Sequence, residues 1–183
     1  MVKGWAARSW VMARFIPLIL TVLALAIIAA RQPAEGQSRY DPFQTLQGPA
    51  RAVSGDVVSV NGRQIRLHGL DAPDPGQTCV NARRQTYDCG QAAQQMLAYL
   101  VRGRTFQCTL FSRLTGGQEV GVCQANGHDL GAAMVARGWA YSDRALSNRY
   151  EGMEARAQTR RMGVWAGRHQ RPWVYRQQQG QDG

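Results

Sequence analysis

Apolar and polar residues alternate over three short stretches, 50–53, 57–60 and 65–67. A period of two predicts strands. Asn61-Gly62, between the second and third stretches, predicts a hairpin, because both residues tolerate the positive φ of a tight turn. Residues 71–89 contain Asp-Ala-Pro-Asp-Pro-Gly and two cysteines and read as a loop. The period then changes: Ala92, Ala93, Met96, Leu97, Leu100 and Val101 recur at helical intervals. Strand pattern returns at 105–111 and 120–123. A short helix is predicted at 130–136, stopped by Gly138, and a longer charged one at 150–162, ending at Gly163. Residues 168–183 read as a polar tail with an aromatic island at Trp173-Val174-Tyr175.

Short strands, a helix, two strands and then further helices make an α+β pattern with a small barrel, which the OB architecture fits. Ahead of it, Lys3, Arg8 and Arg14 precede an uncharged apolar run at 15–30, followed by Ala34-Glu35-Gly36. That order reads as a signal peptide with a small-x-small cleavage site, or as an uncleaved membrane anchor. Either reading places the rest of the chain outside the cytoplasm, periplasmic, secreted or tethered. The organisation expected is a targeting segment at 1–36, a polar linker at 37–47, a domain at 48–167 and the tail.

Charge and cysteine sharpen this picture. The chain of 183 residues carries a net charge of +10, and its only lysine is Lys3. Without residues 1–36 there remain 18 basic and 11 acidic groups, a net of +7. Such a domain attracts nucleic acid or another polyanion through its summed field. All four cysteines, Cys79, Cys89, Cys108 and Cys123, lie beyond the targeting segment, and their spacing fits no common zinc pattern. Three pairings are open. The favoured one joins Cys79 to Cys89 across a short loop and Cys108 to Cys123 between neighbouring strands. His68, His128 and His169 have no partner spacing and read as structural or surface residues.

Three stretches carry a family resemblance. Ser54-Gly55-Asp56-Val57 is similar to the Asp-Gly-Asp-Thr turn of the staphylococcal-nuclease (thermonuclease) family. Arg66-Leu67-His68-Gly69-Leu70-Asp71-Ala72-Pro73-Asp74 resembles its Arg-Leu-x-x-x-Asp-Thr-Pro-Glu, and Gly163-Val164-Trp165 its Gly-aliphatic-Trp. Asn126-Gly127 and the segment 134–138 are similar to the surroundings of its second helix. The resemblance covers about two thirds of the chain. It implies a five-stranded OB barrel with three helices and calcium-dependent cleavage of DNA or RNA phosphodiesters.

On that resemblance, Asp56 and Asp71 are the metal-ligating aspartates and Ala72 the residue lending a backbone carbonyl. Hard oxygen donors of this kind suit calcium. Arg66 grips the scissile phosphate through its planar fork. Four positions depart from the pattern. Asp74 stands where the family has its general-base glutamate, one methylene short. Gln118 stands where an ungapped alignment puts a second phosphate arginine, and it cannot neutralise developing charge. Ala72 and Val57 each replace a hydroxyl residue. Arg113, Arg83 and Arg84 are candidate substitutes for the missing arginine. The expectation is therefore an exported, thermonuclease-like protein whose cleavage is slowed or lost. The alternatives are a non-catalytic OB module that binds nucleic acid or acidic polysaccharide at the cell envelope, and a structural domain of an envelope complex.

Overall fold

The computed structural model describes residues 43–180. The targeting segment expected at 1–36 lies outside the described residues, as do residues 37–42 of the expected linker. Strand β1 (Thr45–Ala52) begins within the stretch read as linker and is long enough to pair on both sides. Its second half runs antiparallel to β2 (Val57–Val60), and its first half antiparallel to β7 (Thr105–Arg113). β2 turns into β3 (Arg63–Leu67) through Asn61 and Gly62, whose φ values of 50° and 80° are those of the predicted hairpin. β7 returns as β8 (Glu119–Ala125), and β8 lies parallel to β3 with Arg66 opposite Val120. That pairing closes a five-stranded barrel in the order β3-β2-β1-β7-β8, the OB-type α+β fold expected. A two-residue strand, β9 (His128–Asp129), folds back on the end of β8.

Alternation along the strands explains the interior. Val58, Val60, Ile65, Leu67, Phe106 and Leu110 point inward and are buried. The stripe of helix α1 (Cys89–Val101) lays Ala93, Leu97, Leu100 and Val101 against them. Burying each such leucine contributes roughly 1.5–3 kcal/mol. Asp88 caps α1 by accepting from Gln91 N at 2.7 Å, and Asp129 caps α2 (Leu130–Ala136) by accepting from Ala132 N at 3.0 Å. Both disulfides form as favoured, Cys79–Cys89 and Cys108–Cys123. The second joins residues directly opposite one another on β7 and β8.

Three stretches differ from the sequence reading. The segment read as a loop holds two short antiparallel strands, β5 (Thr78–Val80) and β6 (Thr86–Asp88), because the Cys79–Cys89 bridge ties their ends. The long charged helix is shorter, α3 (Glu151–Thr159), and continues as a 3-10 turn at Gly163–Ala166. The polar tail contains a fourth helix, α4 (Pro172–Gln179), started by proline in its first turn, where the resemblance implied three helices. α4 sits on a second apolar cluster of Cys79, Cys89, Tyr141 and Val164, against which Trp165 and Trp173 pack.

Candidate phosphodiester site at the barrel rim

The site is assembled by the β2–β3 hairpin and by β4 (Leu70–Asp71), which pairs with β10 (Tyr141–Ser142). The turn preceding β2 holds Asp56. Gly55 is required there: a Cβ on it would lie 2.7 Å from the Ala72 Cβ and 2.8 Å from the Ala93 Cβ. The turn therefore packs directly on the 71–74 segment. Leu67 N donates to Asp56 O at 2.8 Å, locking the turn to the end of β3.

The side chains converge. Arg66 Nη2 lies 2.9 Å from Asp56 Oδ2 and 3.0 Å from Asp71 Oδ1, so one guanidinium nitrogen bridges the two aspartates. Asp56 is 7% exposed and Asp71 4%. Ser54 Oγ donates to Asp56 Oδ1 at 2.7 Å. Burial pushes the Asp56 carboxyl above its ordinary range, with Arg66 opposing the shift. Asp74 lies beside this pair, and burial raises its carboxyl too, opposed by Arg176. Its backbone is fixed by Gln77, only 1% exposed, whose Oε1 accepts from Asp74 N at 3.1 Å and whose Nε2 donates to Gln170 O at 2.8 Å.

Sequence reasoning missed the other cation. Arg176, on α4, donates from Nη1 to Asp71 Oδ1 at 3.2 Å and to Asp74 Oδ2 at 2.9 Å, and from Nη2 to Asp71 Oδ2 at 2.6 Å. The bond to Asp71 holds its guanidinium even more firmly charged than usual. The only available signal was the aromatic island that anchors α4, since nothing in the run 176–179 marks Arg176 as special.

The structure thus brings together Asp56, Arg66, Asp71, Ala72 and Asp74. Gln118 falls elsewhere, beside the β7–β8 turn, in a hollow of about 460 Å³ that it shares with Arg63 and Arg113. There Glu119 binds Arg63 through both carboxylate oxygens and Arg113 Nη2 at 3.1 Å. Arg83 and Arg84 are exposed on the β5–β6 turn. Among the described residues, no group of three or more His, Cys, Asp and Glu side chains is arranged to hold a metal ion. Two buried carboxylates that meet at one arginine nitrogen, in a segment that runs on into Ala72, still supply the hard oxygen donors calcium takes. Asp56 and Asp71, with Ala72, therefore fit a calcium ion chemically.

A small closed barrel carrying two buried aspartates bridged by one half-buried arginine fits the staphylococcal-nuclease resemblance. The comparisons agree: the profile of the family described as staphylococcal nuclease homologue matches residues 64–167. The chain belongs to that family. A succinoglycan biosynthesis protein, ExoI, of Rhizobium meliloti (strain 1021) is 30% identical over 144 residues, covering 76% of this chain and 73% of that protein. A probable staphylococcal-like nuclease, CAN1, of Oryza sativa subsp. japonica is 29% identical over 125 residues, 67% of this chain and 35% of that protein. An uncharacterized 38.1 kDa protein of Capnoides sempervirens is 25% identical over 137 residues, 73% of this chain and 36% of that protein. The chain thus spans about a third of the length of the last two.

Proposed function

We propose that the protein is an exported phosphodiesterase that cleaves nucleic acid with the help of calcium. The observation that carries this reading is the single Arg66 nitrogen shared by Asp56 and Asp71. It supports the reading because a guanidinium fork and two buried carboxylates lie within one hydrogen-bond shell of each other. In this reading Asp56, Asp71 and the Ala72 carbonyl hold calcium, which when bound neutralises charge on the phosphate oxygens. Arg66 orients the phosphate by bidentate hydrogen bonds. Water attacks phosphorus, Asp74 accepts its proton, and the P–O bond to the leaving oxygen breaks. The short Asp74 side chain makes this step slow, because misplacing a base by about 1 Å costs on the order of 10²-fold. Two disulfides support the export reading, since such bonds persist in oxidising compartments. The expected segment at 1–36 would serve as signal peptide or anchor.

The relative from Rhizobium meliloti, named for succinoglycan biosynthesis, favours a second reading. In it the domain is a non-catalytic OB module that binds nucleic acid or acidic polysaccharide. One experiment separates the two. Purified protein is incubated with single-stranded DNA and with RNA, in calcium and in chelator, beside Asp56→Ala. Calcium-dependent cleavage that disappears in Asp56→Ala supports the enzyme. Calcium should also raise the melting temperature of the wild type and not of Asp56→Ala. Absence of cleavage, with retained binding of the polyanion, selects the module.

A further inference from the structure

The helix α4 lies outside the segment the family profile matches, which ends at residue 167, yet it reaches the most buried carboxylate of the site. Its position is built from several contacts. Pro172 is buried, and the Trp173 ring meets Tyr141 edge-on at 6.1 Å. Arg171 stacks over Trp173 with its guanidinium carbon 5.0 Å from the ring centroid, and reaches the buried Glu154 at 3.4 Å. Gln77 holds Gln170. Arg176 is therefore delivered to one place and not left on a loose strand.

Donor arithmetic shows what it can still do. A guanidinium has five N–H donors. Arg176 uses both of Nη1 and one of Nη2 on Asp71 and Asp74. Its Nε–H and the second Nη2–H have no acceptor among the described residues. These two donors share one edge of the planar group, which is the fork that grips a phosphate side-on. The Arg176 side chain is 43% exposed while Asp71 beneath it is 5% exposed, so carboxylates back the guanidinium and solvent fronts it. The Arg66 and Arg176 guanidiniums donate to the same oxygen, Asp71 Oδ1. They meet at that oxygen, so two cations stand next to one another at the rim. Next to Arg176 opens a hollow of about 530 Å³, lined also by Ser142, Arg144 and Arg171. Ser142 lines it, and its buried hydroxyl has no hydrogen-bond partner among the described residues.

From this geometry we infer that Arg176 is the second phosphate-binding arginine of the site, supplied by α4 in place of the neutral Gln118. The inference rests on the phosphodiesterase reading for its catalytic part, and on a phosphate ligand alone for its binding part. Asp74 tethers the guanidinium on one side. On the other, Nε–H takes one non-bridging phosphate oxygen and the free Nη2–H takes its neighbour. A second fixed positive charge then stands beside the phosphate as charge develops.

The test uses the whole chain with Arg176→Gln and Arg176→Lys, both checked by thermal melting. Binding of a fluorescein-labelled single-stranded oligodeoxynucleotide is followed by anisotropy in chelator over a range of salt. Removing one cation from the phosphate backbone should flatten the slope of log K against log salt by about 0.7. Arg176→Gln is expected to lose about that much slope, and Arg176→Lys to keep it. Cleavage in calcium should fall at least about tenfold in both, because lysine keeps the charge and not the fork. A wild-type salt slope in Arg176→Gln overturns the inference, and so does faster cleavage, which would make Arg176 a plug over Asp71. If no form cleaves, the phosphodiesterase reading fails while the salt slope still decides the phosphate interaction. If Arg176→Gln does not fold, Arg176→Lys decides: a wild-type rate overturns the inference and a tenfold loss at unchanged slope supports it.

Discussion

Gly90→Ala puts a methyl group where the backbone of Asp74 passes. The new Cβ would lie 1.9 Å from the Asp74 carbonyl oxygen and 2.7 Å from its carbon, where real contacts of this kind begin near 3.0 Å. Both neighbours are main chain, so no side chain can swing away. Either the turn carrying Asp74 or the first turn of α1 must move by roughly 1 Å, a displacement that costs about 10²-fold at a positioned catalytic group. Neither moves freely. Cys89 N and Gly90 N both donate to Gln77 O, at 2.9 and 3.3 Å, and the Cys79–Cys89 bridge fixes the same corner. The overpacking should cost about 1–3 kcal/mol, or roughly 3–10 °C in a domain of this size. The assay is a thermal melt together with, on the phosphodiesterase reading, the cleavage rate in calcium. Gly152→Ala is the control. Its nearest neighbour outside the helix backbone is the far end of Arg156 at 3.6 Å, so it should stabilise α3 by about 0.5–1 kcal/mol. A Gly90→Ala protein that melts within about 1 °C of wild type would refute the reasoning, since overpacking of backbone on backbone cannot be that cheap.

Three further outcomes are expected. Replacing Cys108 and Cys123 by serine should cost about 3 kcal/mol for a separation of 15 residues, and replacing Cys79 and Cys89, separated by 10, slightly less; urea unfolding with and without reductant measures both. Glu119→Gln should cost roughly 1–2 kcal/mol by loosening its charged hydrogen bonds to Arg63 and Arg113. Those bonds hold the Glu119 carboxyl below its ordinary 4.5, so their contribution is complete above that pH and is lost as pH falls through the lower folded value. The melting difference between Glu119→Gln and wild type should therefore shrink on acidification. Gln77→Leu removes the partners of Asp74 N and Gln170 O and should cost about 1–3 kcal/mol, read as faster hydrogen exchange at Asp74.

Legibility followed sequence separation. Asp56, Arg66, Asp71 and Asp74 lie around one hairpin, so a short-range motif contains them and the Asn61-Gly62 turn brings them together. The cysteine pairs were readable for the same reason, one spanning a short loop and the other neighbouring strands. The parallel closure of β3 on β8 left no trace in local alternation, since pairing between distant strands adds no new period. Arg176 was invisible in a run of Arg and Gln, because its meaning comes from a partner 105 residues away. Gln77 was missed likewise: a buried glutamine reads as an ordinary loop residue until its two backbone partners are placed. Gln118 was matched to the site by counting along the chain, and the β7–β8 turn carries it to a separate hollow.

The ion pair between Asp71 and Arg176 also sets an order of assembly. A chain made from its N-terminus exposes Asp56 and Asp71 long before Arg176 has been synthesised. The main apolar cluster of the barrel needs nothing beyond Met153 among the described residues, so the barrel can collapse first, as N-terminal parts generally do. During that interval Arg66 is the cation among the described residues that pairs with Asp56 and Asp71. Docking of α4 then completes the neutralisation of the rim, and a barrel that has not yet received it carries an open, half-neutralised one.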